Sequence, residues 1–411
     1  MLSPDQKAKS RPAPTKRRRR WNWALSDAIR RLLKFWIEWS ARLKGQRFYC
    51  RVLAGEAEYN LTVNCDLTVS CNCQDYNGSG HLGDLKTHSF QEIYFGPVAR
   101  RFRRELAEGK LPIKTCARCG DLARVPKSEV KSATVEHERS TIQHPPSESG
   151  NSASPPSDAS PAPGQASTVS HLEDEVFAGP RPRLPYRGML LENTVRCNID
   201  CLGCDRQSAA RIRTSLQMDL ANLSRMADLV HDLGMQQLFY LNLGEPFLSP
   251  NIGEELPLLR RKNPDCRIVI STNGIVLNTD AKRQAALSAS HILFSIAGID
   301  DPMLKKYEHF GSFEKAYSNL KAMVAYRNAH GLSKPLLEWK YLLFNWNDGR
   351  RSIELATELA KAAGADFISF WPTSNPLYGY SFRYRLGRLN WVGVKCWKGR
   401  EVDLRGLLRR S

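Results

Sequence analysis

The chain has 411 residues, of which 42% are hydrophobic and 25% charged, the composition of an ordinary folded soluble protein. No apolar run approaches the roughly 20 residues that a membrane span needs, and the start of the chain lacks the apolar stretch of a signal peptide. The net charge of +18 comes from the two ends, where residues 1–47 hold 14 Lys and Arg against 3 Asp and Glu and residues 379–411 hold 9 against 2. Residues 48–378 are therefore formally neutral, which argues against a nucleic-acid-binding core.

Two elements are predicted before the first cysteine. Residues 1–22 predict a disordered basic arm, and residues 23–47 predict an amphipathic helix, since their apolar side chains recur at helical spacing. Four of the nine tryptophans lie here, at positions 21, 23, 36 and 39. A basic helix with an aromatic face can lie in a membrane interface, so a peripheral membrane contact through residues 1–43 is one alternative. We favour the other, docking on the module that follows, because interfacial binding requires a free apolar face.

A cysteine-bearing module is predicted over residues 48–124. Its cysteines are Cys50, Cys65, Cys71, Cys73, Cys116 and Cys119, of which the last two form a Cys-x2-Cys pair. In the cytoplasm, where we expect this protein, such cysteines are thiols or metal ligands rather than disulfides. Four thiolates hold either one iron–sulfur cubane or a structural zinc ion. The residues by themselves leave both alternatives open.

A linker is predicted over residues 125–185. The 28 residues from Gln143 to Ser170 include 8 Ser and 6 Pro and no aromatic residue. Such a composition cannot bury enough surface to offset the entropy of ordering, so we expect a flexible connection.

Strand-like and helix-like segments alternate from residue 186 to residue 375, and a basic tail follows over 376–411. The predicted strands lie near 187–194, 237–243, 267–272, 291–297, 336–344 and 366–371. The predicted helices lie near 215–233, 252–262, 280–289, 312–330 and 350–363. Six strands alternating with helices indicate parallel βαβ units in an α/β fold, whose chemistry lies at the carboxyl ends of the strands.

Three cysteines follow the first of these strands. Cys197, Cys201 and Cys204 are spaced Cys-x3-Cys-x2-Cys. Because a cubane iron–sulfur cluster normally takes four thiolates, three would leave one iron open to a substrate or cofactor. A zinc knuckle is the alternative, but no fourth Cys or His lies nearby in the sequence.

Polar motifs follow the next three strands. The end of the second predicted strand is followed by Leu243-Gly244-Glu245-Pro246. The third strand ends in Thr272-Asn273-Gly274, and the fourth in Ser295-Ile296-Ala297-Gly298. Taken with the triplet, they closely resemble the radical S-adenosylmethionine (radical SAM) enzymes. The resemblance covers about residues 186–375.

The resemblance implies a partial (β/α)6 barrel and a 4Fe-4S cluster on the triplet whose open iron chelates S-adenosylmethionine. It implies that Gly244, Glu245, Pro246, Asn273 and Ser295 bind this cofactor. Two positions depart from the family. Ala297 replaces the usual Asp, and Gly203 stands where an aromatic residue usually shelters the adenine, so adenine packing is expected from Phe370 or Trp371.

The module over 48–124 resembles the SPASM auxiliary-cluster domain, which usually follows the radical SAM core but here precedes it. The resemblance implies one auxiliary 4Fe-4S cluster, held by Cys50, by Cys71 or Cys73, and by Cys116 and Cys119. Cys65 is then a packed thiol on a strand. Zinc remains the alternative for this module.

The sequence therefore predicts an enzyme that cleaves S-adenosylmethionine to a 5′-deoxyadenosyl radical and takes hydrogen from a peptide, protein or sugar. A peptide, protein or carbohydrate substrate and an external reductant such as flavodoxin or ferredoxin are the expected partners. One alternative is a non-catalytic zinc- or cluster-binding scaffold. Another is an RNA-modifying radical enzyme, although the neutral core makes nucleic acid an unfavoured partner. The sequence names no catalytic acid or base.

Overall fold

The computed structural model describes residues 31–57, 59, 61–71, 77–133, 175–178, 188–373 and 375–396. The predicted arm over 1–22, most of the predicted linker, and Cys73 lie outside the described residues. In the described part of the chain, no helix is long and apolar enough to cross a membrane.

The strands are β1 (Gln46–Cys50), β2 (Leu61–Val63), β3 (Thr68–Ser70), β4 (His81–Asp84), β5 (Leu122–Pro126), β6 (Val130–Ala133), β7 (Glu175–Ala178), β8 (Gly188–Leu191), β9 (Asp200–Cys201), β10 (Gln237–Tyr240), β11 (Arg267–Thr272), β12 (His291–Ser295), β13 (Glu308–His309), β14 (Leu336–Leu343), β15 (Phe367–Pro372) and β16 (Val394–Cys396). The helices are α1 (31–43), α2 (Phe90–Tyr94), α3 (Pro97–Ala107), α4 (Arg206–Ile212), α5 (Leu220–Asp232), α6 (Ile252–Lys262), α7 (Asp280–Ala286), α8 (Asp301–Leu304), α9 (Phe313–Ala329), α10 (Arg350–Ala362) and α11 (Phe382–Arg385).

Six parallel strands form the centre of the molecule in the order β8-β10-β11-β12-β14-β15. Alternate side chains of these strands face opposite sides of the sheet. One side packs on the crossover helices, and the other carries a cluster of Leu190, Phe239, Val269 and Leu293. The predicted α/β barrel fold is confirmed, and the strand and helix positions agree closely with those predicted from the sequence.

The N-terminal module joins the same sheet. Strand β2 pairs in parallel with β8, so that Leu61 faces Met189 and Val63 faces Leu191, and β3 and β4 extend the sheet beyond β2. A separate antiparallel pair, β1 with β5, brings Cys50 opposite Leu122. The module therefore covers the edge of the barrel at its first strand.

Three segments differ from the sequence-based expectation. The predicted helix over 23–47 ends at residue 43, and strand β1 begins at Gln46. Within the predicted linker, β6 and β7 pair with each other. In the predicted basic tail, β16 pairs antiparallel with β15, which completes a ten-stranded sheet.

Candidate functional site

The three cysteines lie on the loop that leaves β8. Cys201 belongs to β9, which pairs with β13, and the backbone N–H of Cys204 donates to the carbonyl of Cys201 at 3.1 Å. Burial, reinforced by the Glu245 and Cys204 charges, raises the pKa of Cys197 to about 11. The pKa of Cys201 is also raised, by burial and then by Glu308 and the other two cysteines. The three thiols thus lie within electrostatic reach of one another, where a cationic centre would favour their thiolates.

Glu245 ties the ends of two strands together. Its carboxylate accepts hydrogen bonds from Thr272 Oγ1 at 2.7 Å, from the Asn273 N–H at 2.7 Å and from the Phe247 N–H at 3.2 Å. Burial raises its pKa to about 7 although these hydrogen bonds act in the opposite direction. The carboxylate of the Gly-Glu-Pro turn is therefore occupied in fixing β11 beside β10.

Gly244 allows the cysteine loop to approach this turn. A Cβ at this position would lie 1.9 Å from the carbonyl oxygen of Thr194. The next residue, Glu245, donates its N–H to the carbonyl of Arg196 at 2.8 Å. Because only glycine fits, the sequence of the turn determines where the loop before Cys197 lies.

Asn273 reaches the cysteine loop from the end of β11. Its Nδ2 lies 3.9 Å from Cys197 Sγ and donates to Asn198 Oδ1 at 2.9 Å. Pro246 is connected to the end of β8, since its carbonyl accepts from Asn193 Nδ2 at 3.2 Å. The structure thus brings the predicted Gly-Glu-Pro and Asn273 positions to the cysteine triplet.

Polar side chains line the inner face of the last three barrel strands. Ser295 stands in register with Lys340, and Lys340 with Ser369. The Lys340 ammonium lies 4.9 Å from the ring centroid of Trp371, whose Nε1 donates to Ser369 Oγ at 2.8 Å. Ser295, the other predicted cofactor residue, is therefore part of a polar inner face.

Two further polar residues near the end of β14 hold the chain segment that follows β15. Asn345 Nδ2 donates to the carbonyl of Tyr378 at 2.6 Å, and Asp348 accepts from Ser381 Oγ at 2.6 Å. These side chains fix the segment after β15 to the end of β14.

Gly203 is packed against the segment that follows β15. A Cβ at residue 203 would lie 2.5 Å from the carbonyl oxygen of Asn375, whose Nδ2 donates to the Gly203 carbonyl at 2.6 Å. Of the two aromatic residues expected near the adenine, Phe370 packs against Tyr341 in the core outside the barrel, whereas Trp371 shares the inner face with Lys340. The missing aromatic residue is thus explained by the close passage of Asn375.

Glu308 is a buried carboxylate that the sequence motifs did not indicate. It lies in β13 opposite Cys201, and its Oε1 accepts from the Ala297 N–H at 2.9 Å. Burial raises its pKa to about 8. A buried carboxylate thus lies beside Ala297, and only the long-range pairing of β9 with β13 reveals it.

Three cysteines of the N-terminal module lie near one another, because Cys50 and Cys116 pack against the same cluster and the Cys119 N–H donates to the Cys116 carbonyl at 3.2 Å. Burial raises the pKa of Cys50 to about 12, with a contribution from the Cys116 charge. The pKa of Cys119 is raised by burial and by the charges of Cys50 and Cys116. Cys71 is buried, and its N–H donates to the Gly80 carbonyl at 3.0 Å. Cys65 instead donates its thiol to the Ser215 carbonyl at 3.2 Å, at the contact with the barrel.

A buried ion pair of the barrel lies where the barrel contacts the N-terminal module. Arg213 Nε lies 3.3 Å from Glu192 Oε1, and 3% and 0% of these two side chains are exposed. Arg213 also donates to Asn64 Oδ1 of the module at 2.7 Å, while Asp66 accepts from the Thr214 N–H at 2.9 Å. Since Glu192 directly follows β8, the ion pair lies at the start of the loop that carries the cysteines.

In the described part of the chain, no group of three His, Cys, Asp or Glu side chains is placed to hold a single metal ion. Among the described residues, no disulfide joins the cysteines of the triplet or of the module, and Cys73 is not described.

Comparison with known proteins identifies two domains. Residues 191–331 match the family model described as the radical SAM superfamily, and residues 50–120 match SPASM, an iron–sulfur cluster-binding domain. No curated protein matches the sequence significantly. The family matches confirm the predicted resemblance and the predicted 4Fe-4S and S-adenosylmethionine cofactors.

The chain is also similar to parts of solved structures. One is anSMEcpe with bound AdoMet (14% identity, 45% of this chain, 50% of that chain, TM-score 0.35). Another is the radical S-adenosylmethionine methyltransferase TsrM from Kitasatospora setae (15% identity, 51% of this chain, 42% of that chain, TM-score 0.38). A third is BtrN in complex with AdoMet and 2-DOIA (21% identity, 26% of this chain, 44% of that chain, TM-score 0.23). The chain spans about half the length of these solved structures or less.

Proposed function

The chain belongs to the radical SAM superfamily and carries a SPASM iron–sulfur domain ahead of its barrel, and on this premise we propose that it reductively cleaves S-adenosylmethionine. The observation that carries the proposal is the contact of the cysteine loop with two strand ends, where Asn273 Nδ2 lies 3.9 Å from Cys197 Sγ and the Glu245 N–H donates to the Arg196 carbonyl at 2.8 Å. A 4Fe-4S cluster held there would supply the electron for reductive cleavage of S-adenosylmethionine to methionine and a 5′-deoxyadenosyl radical. Cys197, Cys201 and Cys204 would hold this cluster.

The residues around the triplet would position the cofactor. The Gly244–Pro246 turn adjoins the cysteine loop, because the Glu245 N–H donates to the Arg196 carbonyl at 2.8 Å, and the turn would contact the cofactor from there. Asn273 orients the loop through Asn198, and Ser295 offers a hydroxyl from the inner face. In this arrangement Glu245 acts as a positioning residue rather than as a ligand.

The module would hold one auxiliary cluster through Cys50, Cys116 and Cys119, with Cys71 or Cys73 as the fourth ligand. The shared packing of Cys50 and Cys116 and the backbone hydrogen bond from Cys119 to Cys116 support this ligand set. Its parallel strand pairing with the barrel would hold the auxiliary cluster at a fixed distance from the triplet. An auxiliary cluster held by these residues would supply a second site for electron exchange.

The substrate is a peptide, protein or carbohydrate in this proposal, and the electron comes from an external reductant such as flavodoxin or ferredoxin. The inner face of the barrel supports a polar substrate, because it presents Ser295, Lys340 and Trp371. Hydrogen atom transfer from a carbon of that substrate would then follow.

The test is 5′-deoxyadenosine formation by anaerobically reconstituted protein with dithionite and S-adenosylmethionine. Wild type should form 5′-deoxyadenosine, and the triple variant Cys197→Ala, Cys201→Ala and Cys204→Ala should form none. Cys266→Ala is the matched control, because Cys266 is a buried core thiol at the start of β11. Undiminished formation by the triple variant would refute the assignment of the triplet.

A further inference from the structure

Helix α1 presents an apolar stripe to solvent. Its members are Leu32, Phe35, Trp36, Trp39 and Leu43, and between 45% and 67% of each side chain is exposed. Their spacing places all five on one face of the helix. Contiguous exposed apolar surface of this kind marks an interaction site in a folded protein.

The opposite face of the same helix is anchored to the module. Ala41 is fully buried and packs with Ile37 against a cluster that includes Phe48 and Leu111. Glu38 Oε1 accepts from the Leu111 N–H at 2.6 Å, and Lys34 Nζ donates to the Leu111 carbonyl. The docking of the helix on the module, which we favoured from the sequence, therefore occupies one face of α1. The opposite, aromatic face is exposed to solvent.

The exposed stripe is pre-arranged by its aromatic residues. The rings of Trp36 and Trp39 meet edge to face with centroids 5.3 Å apart, and Phe35 meets Trp36 at 6.4 Å. Tryptophan side chains are enriched where an apolar phase meets water. The stripe therefore has the composition of a membrane-interface surface rather than of an ordinary protein core.

Positive charge surrounds the stripe. Arg31, Arg42 and Lys44 are exposed on or beside the helix, and residues 1–47 together hold 14 Lys and Arg against 3 Asp and Glu. Helices with an aromatic apolar face and Lys and Arg around it bind anionic membranes by lying in the interface. We propose that α1 docks the protein on an anionic lipid bilayer, with its aromatic stripe among the acyl chains and its basic residues at the headgroups.

This peripheral membrane contact does not depend on the proposed catalytic function. The stripe belongs to the N-terminal module and contains none of the proposed cluster or cofactor residues. Its occupant is a lipid surface because the neighbouring charge is predominantly positive and the apolar residues are those of an interfacial helix. A second copy of the chain would bring two basic segments together and is disfavoured by that repulsion.

Vesicle co-sedimentation of the full-length protein tests the proposal. Wild type should sediment with vesicles that contain phosphatidylserine and much less with phosphatidylcholine alone, and its tryptophan emission should shift to shorter wavelength. The double variant Trp36→Ser with Trp39→Ser should bind at least tenfold more weakly. The matched control is Phe382→Ser, since Phe382 is a 62% exposed aromatic residue on another helix.

Three outcomes would overturn the proposal. They are absence of sedimentation with phosphatidylserine vesicles, equal binding by wild type and the tryptophan variant, and lipid-independent dimers that the variant abolishes. The last would assign the stripe to a second copy. Formation of 5′-deoxyadenosine should be the same in wild type and both variants, so that failure of membrane binding and failure of the catalytic assignment are separate results.

Discussion

Replacing Arg213 with Met should loosen the N-terminal module from the barrel. The substitution leaves the fully buried Glu192 carboxylate without its cation and Asn64 Oδ1 without its donor. Breaking a buried ion pair by removing one partner costs about 3–5 kcal/mol, because the remaining charge stays desolvated. At roughly 2–4 °C for each kcal/mol, the thermal midpoint should fall by roughly 6–20 °C.

The assay is thermal unfolding of the cluster-free protein, followed by circular dichroism. The matched control is Lys305→Met, which removes the ion pair between Lys305 and Asp301, whose side chains are 51% and 38% exposed. Because this pair is exposed, its loss should shift the thermal midpoint by about a degree or two at most. The double variant Arg213→Leu with Glu192→Leu should recover much of the loss, because no unpaired charge remains. An Arg213→Met midpoint equal to that of the control would refute the reasoning.

Three further predictions concern the turn, the base of the barrel and the linker. Gly244→Ala should lower the iron content of reconstituted protein several-fold, because the added Cβ would strike the Thr194 carbonyl. Gly253→Ala is the control, since a Cβ there meets open space, and it should leave the iron content unchanged. Equal iron content in the two variants would contradict this prediction. His291 Nε2 lies 2.9 Å from Glu338 Oε2. Burial acts to raise the pKa of Glu338, but the contact with His291 holds it below the ordinary value of 4.5. The stabilisation from this contact is present above about pH 4.5 and is lost as the pH falls, so the stability of the wild type should fall more steeply in acid than that of Glu338→Gln. Parallel curves of stability against pH would contradict this prediction. Proteolysis between residues 134 and 174 should leave fragments that elute together in gel filtration, because β2 belongs to the barrel sheet; separate elution would contradict the pairing.

The barrel was predictable because its signals are local. Each parallel strand is rich in buried apolar residues, and each crossover helix has one apolar stripe. The predicted helix over 252–262 and strand over 267–272 coincide with α6 and β11. The order of the motifs along the chain placed the triplet, Glu245 and Asn273 at one sheet edge, since parallel strands share their carboxyl ends.

The remaining features depend on contacts between distant residues. The pairing of β2 with β8 joins Leu61 to Met189, and no local pattern specifies which strand a short edge strand will join. Glu308 reaches Ala297 only because β13 pairs with β9. The two faces of α1 could not be assigned from periodicity, because both docking and exposed positions recur at helical spacing.

The most direct measurement is electron paramagnetic resonance of the reduced protein with and without S-adenosylmethionine. The variant Cys116→Ala with Cys119→Ala should retain a 4Fe-4S signal that changes when the cofactor is added, because the triplet leaves one iron open to it. The triple variant at Cys197, Cys201 and Cys204 should retain only an auxiliary signal that the cofactor does not change. A cofactor-dependent signal in the triple variant, or its loss in the Cys116 and Cys119 variant, would contradict the assignment of the triplet as the site of S-adenosylmethionine cleavage.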